Sequence, residues 1–583
     1  MTDDIKNKVK TDIPTVTFTM DGQEVTVAKG TTILEAARAA GIHIPTFCWH
    51  PKLKSVGSCR MCYVEIEKWP KLAVSCVTEA TNGMIVYTDS DLVKRGRKAT
   101  LEFILLNHPI DCPTCDQAGE CELQDMTFEH GIDDTRFDFQ KSRFTSDTGD
   151  TIFDDKRIGP EIILNRNRCI LCYRCVRANK EAFGEHDLGV YERGNIAEIN
   201  AAPGQQVNNP FSGNLSEICP VGALTSVDWR YKMRVWTAGT TPSISPFSSS
   251  GENILIYTDD NKNQINRVTA RCNDDIDDGW LSDIARYGYQ IANSEERLRT
   301  PLIKKEGNQV EATWDEALKV ICNRFKDITE REGKVCIGGL ISPTLDNASL
   351  YSFSKLFRTV FNNNNIDFRT DYRMLPNKPD SYFNMLCDRR FTIADIDSSD
   401  VIVVFGSDLI REHHNEYLRI RKAVNFNNAR VFSLNPYSVK SSDIAESEIV
   451  YNIGTDETLL TAIGLAAIEM GLVDRELAQD FQEKIKPDTL AEATEICGVS
   501  PEDIKLIARA LSGADKVSIM IGELVTRSHG RDTIAAAMFN LSRLLEIDKK
   551  GQMAVLARYA NSRGAEKLGV LPNPSTSTIT KLK

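Results

Sequence analysis

Three cysteines and one histidine lie within the fourteen residues HPIDCPTCDQAGEC, which span positions 108–121. No hydrophobic periodicity in this stretch would place the four side chains in an apolar core. Thiolates select soft metals and iron–sulfur clusters, and imidazole also binds iron and zinc. The stretch therefore predicts a metal site, and its four candidate ligands are His108, Cys112, Cys115 and Cys121.

The other cysteines of the N-terminal region form two further groups of four. The group before this stretch is a close C-x2-C pair with an outlying cysteine on each side: Cys48, Cys59, Cys62 and Cys76. That arrangement is typical of plant-type [2Fe–2S] ligation, although its first spacer is longer than the usual one. The group after it is C-x2-C-x2-C with a remote Cys-Pro, which is typical of [4Fe–4S] ligation: Cys169, Cys172, Cys175 and Cys219.

A structural zinc site is the alternative for the histidine-containing stretch, because a set of three cysteines and one histidine also binds zinc. The spacing C-x2-C-x2-C suits zinc poorly, however. The three groups together use eleven cysteines and one histidine, and no cysteine before residue 220 is left over. Iron–sulfur ligation is therefore favoured. The other five cysteines stand alone and are interpreted as small buried hydrophobic residues: Cys272, Cys322, Cys336, Cys387 and Cys497.

Three arginines neighbour the candidate ligands in the chain: Arg60, Arg174 and Arg177. Their charge could tune the potential of a bound cluster, or they could be ordinary solvated side chains. The pair His413-His414 has no cysteine or acidic ligand pattern beside it, and is interpreted as surface or core.

Local signals indicate the elements that hold these groups. Residues 15–89 are predicted to form a small α+β unit with a hairpin at Asp21-Gly22. A T-x-x-E capping box opens its helix. Residues 90–107 are predicted to be helical and lead into the histidine-containing stretch, whereas residues 131–160 are polar and irregular. A second cysteine-rich unit spans about 160–225.

The composition changes after this region. Residues 237–253 are mostly Ser, Thr, Pro and Gly, and are predicted to be a linker or loop. Beyond them, compact apolar runs alternate with amphipathic stretches such as DTIAAAMFNLSRLLEI, which predicts a doubly wound α/β sheet. The runs are KVCIGGL, DVIVVFG, ARVFSL and KVSIMIG. Neither a G-x-G-x-x-G nor a Walker A motif occurs, so no nucleotide fingerprint is found.

The whole chain has the composition of an acidic globular protein. It has 583 residues, a formal net charge of −12 and a sequence pI of about 5.4. These values argue against nucleic acid or an anionic membrane surface as the main partner. The N-terminus resembles neither a secretory signal nor a transit peptide. The best apolar run, TAIGLAAIEMGLV, is interrupted by Glu469, so no membrane span is predicted. Sixteen cysteines without a secretion signal favour metal or redox chemistry in a reducing compartment.

Four motifs, in this order, resemble the large iron–sulfur subunit of the peripheral arm of respiratory complex I, NADH:quinone oxidoreductase. They are FCWHPKLKSVGSCRMCYVEI, HPIDCPTCDQAGECELQD, RCILCYRCVR and GNLSEICPVGALTS. The resemblance continues into DIDDGWLSDIARYGY and covers nearly the whole chain. It implies that the histidine-containing group also binds a [4Fe–4S] cluster. The expected cofactors are then one [2Fe–2S] and two [4Fe–4S] clusters.

The C-terminal part resembles molybdopterin oxidoreductases that have lost their ligands. Relatives with a further [4Fe–4S] cluster carry cysteines at four positions that here read Ser245, Ser248, Glu252 and Ser282. Formate dehydrogenases need a cysteine or selenocysteine on molybdenum, usually followed by His, but Cys387 is followed by Asp388. Bifurcating hydrogenases need another cysteine set, which five scattered cysteines do not supply. A scaffold without molybdenum is therefore expected.

These features predict an α+β region followed by an α/β region, in five parts. The parts are a plant-type ferredoxin-like [2Fe–2S] domain, a [4Fe–4S] segment with one histidine and three cysteine ligands, a ferredoxin-like [4Fe–4S] domain, a decayed cluster domain of molybdopterin-oxidoreductase type, and an α/β scaffold module. Their expected ranges are 12–90, 91–130, 160–236, 237–300 and 301–583.

The resemblance implies an electron-relay subunit of NADH:quinone oxidoreductase, with no catalytic residue, flavin or NAD of its own. Its implied partners are a flavin- and NADH-binding subunit and other iron–sulfur and membrane subunits. They would hold it peripherally on the cytoplasmic side of a bacterial inner membrane. The motifs are shared with NAD-linked hydrogenases and formate dehydrogenases, so a relay in such a soluble complex is the alternative. A zinc-stabilised assembly scaffold is the second alternative.

Overall fold

The computed structural model describes residues 14–131, 136–137, 153–369, 391–528 and 530–572. The chain divides into two compact units. The first runs to residue 239 and includes 258–262, and the second contains 240–257 and 263–583. Cys387 and most of the polar stretch predicted to be irregular lie outside the described residues. Within the described ranges, no helix is both long and apolar enough to cross a membrane.

The N-terminal part of the first unit is a mixed five-stranded sheet in the order β2-β1-β5-β3-β4. Its elements are β1 (Thr15–Met20), β2 (Gln23–Ala28), α1 (Ile33–Ala39), β3 (Tyr63–Ile66), β4 (Ala73–Val74) and β5 (Ile85–Tyr87). The predicted hairpin is confirmed, and both turn residues, Asp21 and Gly22, have the positive φ that a tight hairpin requires. The capping box of α1 is also confirmed, with Thr32 and Glu35 bonding each other's backbone N–H.

The rest of the first unit consists of short elements joined by loops. They are α2 (Asp91–Asn107), α3 (Glu122–His130), β6 (Lys156–Arg157), β7 (Ile162–Leu164), α4 (Arg174–Arg177), β8 (Leu188–Tyr191), β9 (Glu198–Ala201), α5 (Asn214–Ile218) and β10 (Leu224–Ser226). Helix α2 confirms the predicted helix, and the Ser90 hydroxyl caps it by accepting from the Val93 N–H. Strands β10, β7 and β6 form one antiparallel sheet, and β8 pairs with β9.

The second unit begins with a three-stranded sheet: β11 (Gly239–Ile244), β12 (Asn253–Asp259) and β13 (Gln264–Ala270). The prediction of a linker over 237–253 is wrong for β11. This strand lies at the edge of its sheet and most of its side chains are exposed. Its polar composition therefore resembles that of a loop although its backbone is paired.

The second unit also contains a parallel sheet in the order β20-β19-β18-β21-β22. The remaining strands are β14 (Leu302–Lys305), β15 (Asn308–Glu311), β16 (Gly339–Leu340), β17 (Ile366–Asp367), β18 (Val401–Phe405), β19 (Arg430–Asn435), β20 (Ser447–Val450), β21 (Val517–Ile521) and β22 (Gly551–Val555). Three of the four predicted apolar runs are strands of this sheet. The prediction for KVCIGGL is wrong over its first half, where Val335 and Cys336 are exposed in a 3₁₀ turn.

Helices connect these strands, as the α/β prediction requires. They are α6 (Asp283–Tyr287), α7 (Gln290–Asn293), α8 (Trp314–Glu332), α9 (Asn347–Lys355), α10 (Leu409–Glu412), α11 (His414–Asn427), α12 (Asp456–Glu469), α13 (Arg475–Gln482), α14 (Leu490–Cys497), α15 (Pro501–Gly513), α16 (Glu523–Thr526), α17 (Arg531–Leu544), α18 (Ile547–Lys550) and α19 (Ser562–Lys567). The amphipathic stretch that the sequence indicated corresponds to α17. Helix α12 is largely buried and contributes to the main apolar core with the sheet strands.

Candidate metal centres

The first group of cysteines lies in the loops around β3 and β4. Its thiols are close enough to hydrogen-bond with one another, Cys48 with Cys59 and Cys76, and Cys76 with Cys62. The Cys48 backbone N–H also donates to Cys59 Sγ at 3.4 Å. Arg60, between two of these cysteines, has a left-handed φ of 66°, which residues other than glycine rarely adopt. The fold therefore brings the four predicted [2Fe–2S] ligands together.

The third group of cysteines surrounds a small cavity. The cavity wall combines apolar side chains with all four predicted ligands: Cys169, Cys172, Cys175 and Cys219. Burial raises the pKa of the Cys219 thiol to about 11, and that of Cys175 well above its usual value. Leu171 and Tyr173, between these ligands, have left-handed φ values of 53° and 61°. Such backbone is typical of ligand-binding loops. Buried thiols around a cavity fit a metal cluster, since metal binding would deprotonate them.

The second group lies between α2 and α3. His108 is the C-cap of α2, and Cys121 is the N-cap of α3. Cys112 and Cys115 lie in the loop between them, and both act electrostatically on the Cys121 thiol. Burial raises the pKa of that thiol to about 11. The structure therefore brings the three cysteines together, whereas His108 borders their loop and stays a predicted ligand.

The backbone that follows Cys219 closes against the second group. The Pro220 carbonyl oxygen lies 3.8 Å from Cys121 Sγ. A Cβ atom on Gly222 would lie 2.2 Å from Cys115 Sγ, so a larger residue could not approach this sulfur. The second and third groups are therefore in direct contact through this segment, a link that cysteine spacing alone does not reveal.

Arginine joins the third group to the first. Arg177, at the end of α4, donates to the backbone carbonyl of Cys48 and, at 2.5 Å, to that of Lys54. Arg174 and Arg177 are buried, so the interpretation of these two as solvated is wrong. Arg60 is exposed, as that interpretation required.

The four positions of the predicted lost cluster lie together and are buried: Ser245, Ser248, Glu252 and Ser282. The Ser245 N–H donates to the Glu252 carbonyl at 2.9 Å, and the Ser282 N–H donates to Glu252 Oε1 at 3.0 Å. The Ser282 hydroxyl caps α6 by accepting from the Ala285 N–H. Burial raises the pKa of Glu252 to about 7. The Ser282 and Glu252 side chains therefore bond each other, and the Ser245 and Ser248 hydroxyls accept from neighbouring backbone N–H groups.

The single cysteines differ in burial. Cys497 is buried as predicted, but that interpretation is wrong for Cys272, Cys322 and Cys336, which are exposed on the surface of the second unit. In the part of the chain that the structure describes, no three His, Cys, Asp or Glu side chains are arranged to hold a single metal ion. An iron–sulfur cluster binds its ligands at different iron atoms, so they need not meet at one point.

Four family models match separate parts of the chain. They are the 2Fe-2S iron-sulfur cluster binding domain over residues 14–91, the NADH-ubiquinone oxidoreductase-G iron-sulfur binding region over 97–136, the ferredoxin-like domain of NADH-quinone oxidoreductase subunit 3 over 159–225, and the molybdopterin oxidoreductase family over 297–583. They confirm the predicted fold class. The protein is an iron–sulfur protein that carries a molybdopterin-oxidoreductase-type module.

Curated relatives narrow this class. The chain is 36% identical to the G subunit of NADH-quinone oxidoreductase from Rickettsia felis, over 68% of this chain and 56% of that protein. It is 32% identical to the G 2 subunit of the same complex from Rhizobium meliloti, over 97% of this chain and 64% of that protein. The chain is therefore similar to this large iron–sulfur subunit, the G subunit of NADH-quinone oxidoreductase, and two of the matching family models carry the name of the same enzyme.

A relative with a different name matches over a similar length. The alpha subunit of NADPH-Fe(3+) oxidoreductase from Geobacter sulfurreducens is 31% identical, over 96% of this chain and 65% of that protein. The chain thus spans between about half and two thirds of the length of these relatives.

Proposed function

We propose that this chain is an electron-relay subunit of an NADH-quinone oxidoreductase. The supporting observation is that three groups of candidate ligands lie within one compact unit, where segments of the third group contact both of the others. Arg177 links the third group to the first, and the backbone that follows Cys219, through Gly222, links the third to the second. Iron–sulfur clusters, when bound, accept and donate single electrons. The protein's own residues hold the clusters close together and exclude water.

Each group of residues has a distinct part in this proposal. The [2Fe–2S] ligands are Cys48, Cys59, Cys62 and Cys76. The ligands of one [4Fe–4S] cluster are His108, Cys112, Cys115 and Cys121, and those of the other are Cys169, Cys172, Cys175 and Cys219. Neutral imidazole in place of a thiolate makes the histidine-ligated site one charge unit less negative. The other side chains of these loops supply burial, backbone shape and hydrogen bonds.

The proposal includes partners, because NADH delivers two electrons as a hydride. A flavin must then separate the pair, and we place it on a partner subunit that docks on the N-terminal unit. Membrane subunits accept the electrons on the other side, and hold this chain at the cytoplasmic face of a bacterial inner membrane. The molybdopterin-oxidoreductase-type module acts as a scaffold without molybdenum.

The direct test compares two reductants on the isolated chain with its clusters intact. Dithionite should bleach the visible spectrum, NADH should not, and adding the flavin-bearing partner should restore reduction by NADH. Rapid NADH oxidation by this chain alone, with no flavin present, would overturn the relay assignment. Zinc in place of iron on elemental analysis would favour the assembly scaffold instead.

His108 is tested separately, because its ligation is inferred only from position and resemblance. We expect His108→Ala to change or abolish the EPR signal of one [4Fe–4S] cluster. The control is His130→Ala at the end of α3, which removes a histidine paired with Glu129. An unchanged cluster signal in His108→Ala would show that the ligand is wrongly assigned.

A second candidate function is a relay in a soluble complex that passes electrons to another acceptor. The match to the NADPH-Fe(3+) oxidoreductase alpha chain over 96% of this protein favours it. Copurifying polypeptides distinguish the two, since only the quinone-linked complex brings membrane subunits with it.

A further inference from the structure

Two buried arginines beside the third cysteine group reach towards the other two groups. Arg174 precedes Cys175, and its guanidinium donates to both carboxylate oxygens of Glu122 at 2.6 and 3.0 Å. Glu122 in turn follows Cys121 of the second group. Arg168 precedes Cys169 in the same way, and its Nε donates to Asp111 at 3.0 Å.

The charge of each arginine acts on candidate ligands. That of Arg174 acts on the thiols of Cys172 and Cys59, which belong to the third and first groups. That of Arg168 acts on Cys115 of the second group. Their side chains are only 7% and 6% exposed, so solvent screens these charges little.

Both arginines keep a buried N–H that the rest of the protein does not use. Among the described residues, neither Arg174 Nε nor Arg168 Nη1 has a hydrogen-bond partner. A buried charged donor without an acceptor is costly. Sulfur atoms of a bound cluster would supply acceptors, since each arginine is the chain neighbour of a third-group cysteine.

We propose that Arg168 and Arg174 are positioning residues that donate these N–H groups to sulfur atoms of the bound clusters and stabilise their reduced state. The inference rests on the proposed function. Reduction adds one electron, and hence one negative charge, which a fixed buried positive charge favours. Hydrogen bonds to sulfur and net charge are among the factors that set cluster potentials. Glu122 and Asp111 hold the two guanidinium groups in place.

The test is an EPR-monitored redox titration of the full chain with its clusters. Arg174→Gln should lower the midpoint potentials of the third- and first-group clusters. The EPR signals of these two clusters should also change. Signals are assigned with Cys172→Ala and Cys62→Ala, which each remove one. The matched control is Arg230→Gln, since Arg230 is 8% exposed and is paired with Asp155 in the same unit. Wild-type potentials in an Arg174→Gln protein with full iron content would overturn the proposal.

Two further variants distinguish the effect of Arg174 on the midpoint potentials from the effect of its partner, Glu122. Arg174→Gln also frees Glu122, whose charge could itself lower a potential. The double variant Arg174→Gln/Glu122→Gln should keep the downward shift in midpoint potential, and loss of the shift there would overturn the proposal.

If Arg174→Gln does not fold, Arg174→Lys provides the test, because it keeps the positive charge but lacks the planar guanidinium group and its N–H donors. We expect a smaller shift with an altered spectrum, and a spectrum and potentials identical to wild type would contradict the proposed donor.

Arg168→Gln supplies the complementary case. It should lower the potential of the second-group cluster, on which its charge acts through Cys115, and leave the first-group cluster unchanged. A shift confined to the first-group cluster would overturn the proposal. A wild-type protein without iron and sulfide would instead contradict the proposed function itself, so the two failures are distinguishable.

Discussion

The third cysteine group and the predicted lost cluster positions are both sets of four side chains, one of thiols and one of hydroxyls with a carboxylate. All of them are buried except Cys169, which is half-buried. The thiols line a cavity with apolar walls, and burial raises the pKa values of Cys172, Cys175 and Cys219. The serines and the glutamate instead each make at least one hydrogen bond within the protein. The first set lines a cavity that a bound cluster would fill, whereas the side chains of the second set make hydrogen bonds within the protein.

The prediction of a lost cluster site interprets this difference as a fold that keeps the geometry of a site without its chemistry. Ser282 is the N-cap of α6, and Glu252 accepts from its backbone N–H. Soft thiolates bind iron–sulfur clusters and hard oxygen ligands do so poorly. The substitutions are therefore expected to abolish cluster binding while they retain the packing of α6 against β13.

The largest effect is expected from Cys172→Ala. This change removes one of the four predicted ligands of the third group, so we expect loss of about four of about ten iron atoms per chain. Iron and sulfide analysis with EPR measures it. The control is Cys497→Ala, which removes a buried cysteine from the second unit and should leave iron content unchanged. Full iron content in Cys172→Ala would contradict the ligand assignment.

The next effect is expected from Gly222→Ala, which tests the contact between the second and third groups. The added Cβ would lie 2.2 Å from Cys115 Sγ. Relieving such an overlap in a packed site costs about 1–3 kcal/mol. We expect a broadened or lost EPR signal from the second-group cluster. Gly513→Ala is the control, because a Cβ there would meet no heavy atom within 4 Å. An unaltered second-group signal in Gly222→Ala would show that the backbone around Gly222 moves to accommodate the added Cβ, and that the contact with Cys115 does not constrain the cluster.

The sequence predicted the ligand groups better than the contacts between them. Cysteine spacing reflects local loops, and the structure brings together the cysteines of each predicted group, whose ligand role stays a prediction. Apolar patterns identified β1, β2, β18, β19 and β21. The contact of Gly222 with Cys115 joins residues more than a hundred positions apart. No local pattern encodes such an approach. Likewise β11 was predicted as linker, because an exposed edge strand carries the polar residues of a loop.

A smaller effect is expected from Glu252→Gln, which tests how the lost site tolerates its buried acid. The pKa of Glu252 is about 7 in the folded protein, above the ordinary value of 4.5. The unfolded chain therefore ionises first as pH rises, and the folded state loses stability between these two values. The loss is complete above pH 7 and amounts to about 3 kcal/mol.

Glutamine cannot ionise, so it should remove this dependence. We expect the stability of Glu252→Gln relative to wild type to rise by about 2–3 kcal/mol from pH 5 to pH 8. Hydrogen exchange of the amides in residues 245–287 measures the local opening free energy. Glu457→Gln, a change at an exposed position, is the control. If the local opening free energies of Glu252→Gln and wild type differed by the same amount at every pH, Glu252 would not be held protonated in the folded protein.

The smallest effect on metal content is expected from the double variant Ser245→Ala/Ser248→Ala. The two hydroxyls accept from the N–H groups of Phe247 and Ser250 at 3.2 Å each. Their removal should cost about 1 kcal/mol of local stability for each hydrogen bond. Because oxygen atoms at these positions are not expected to hold a cluster, iron content and every EPR signal should equal those of wild type. Cys172→Ala serves as the positive control for a lost signal. If the double variant lost about four iron atoms instead, the lost-site interpretation would be wrong, and the two sets compared here would both be cluster ligands.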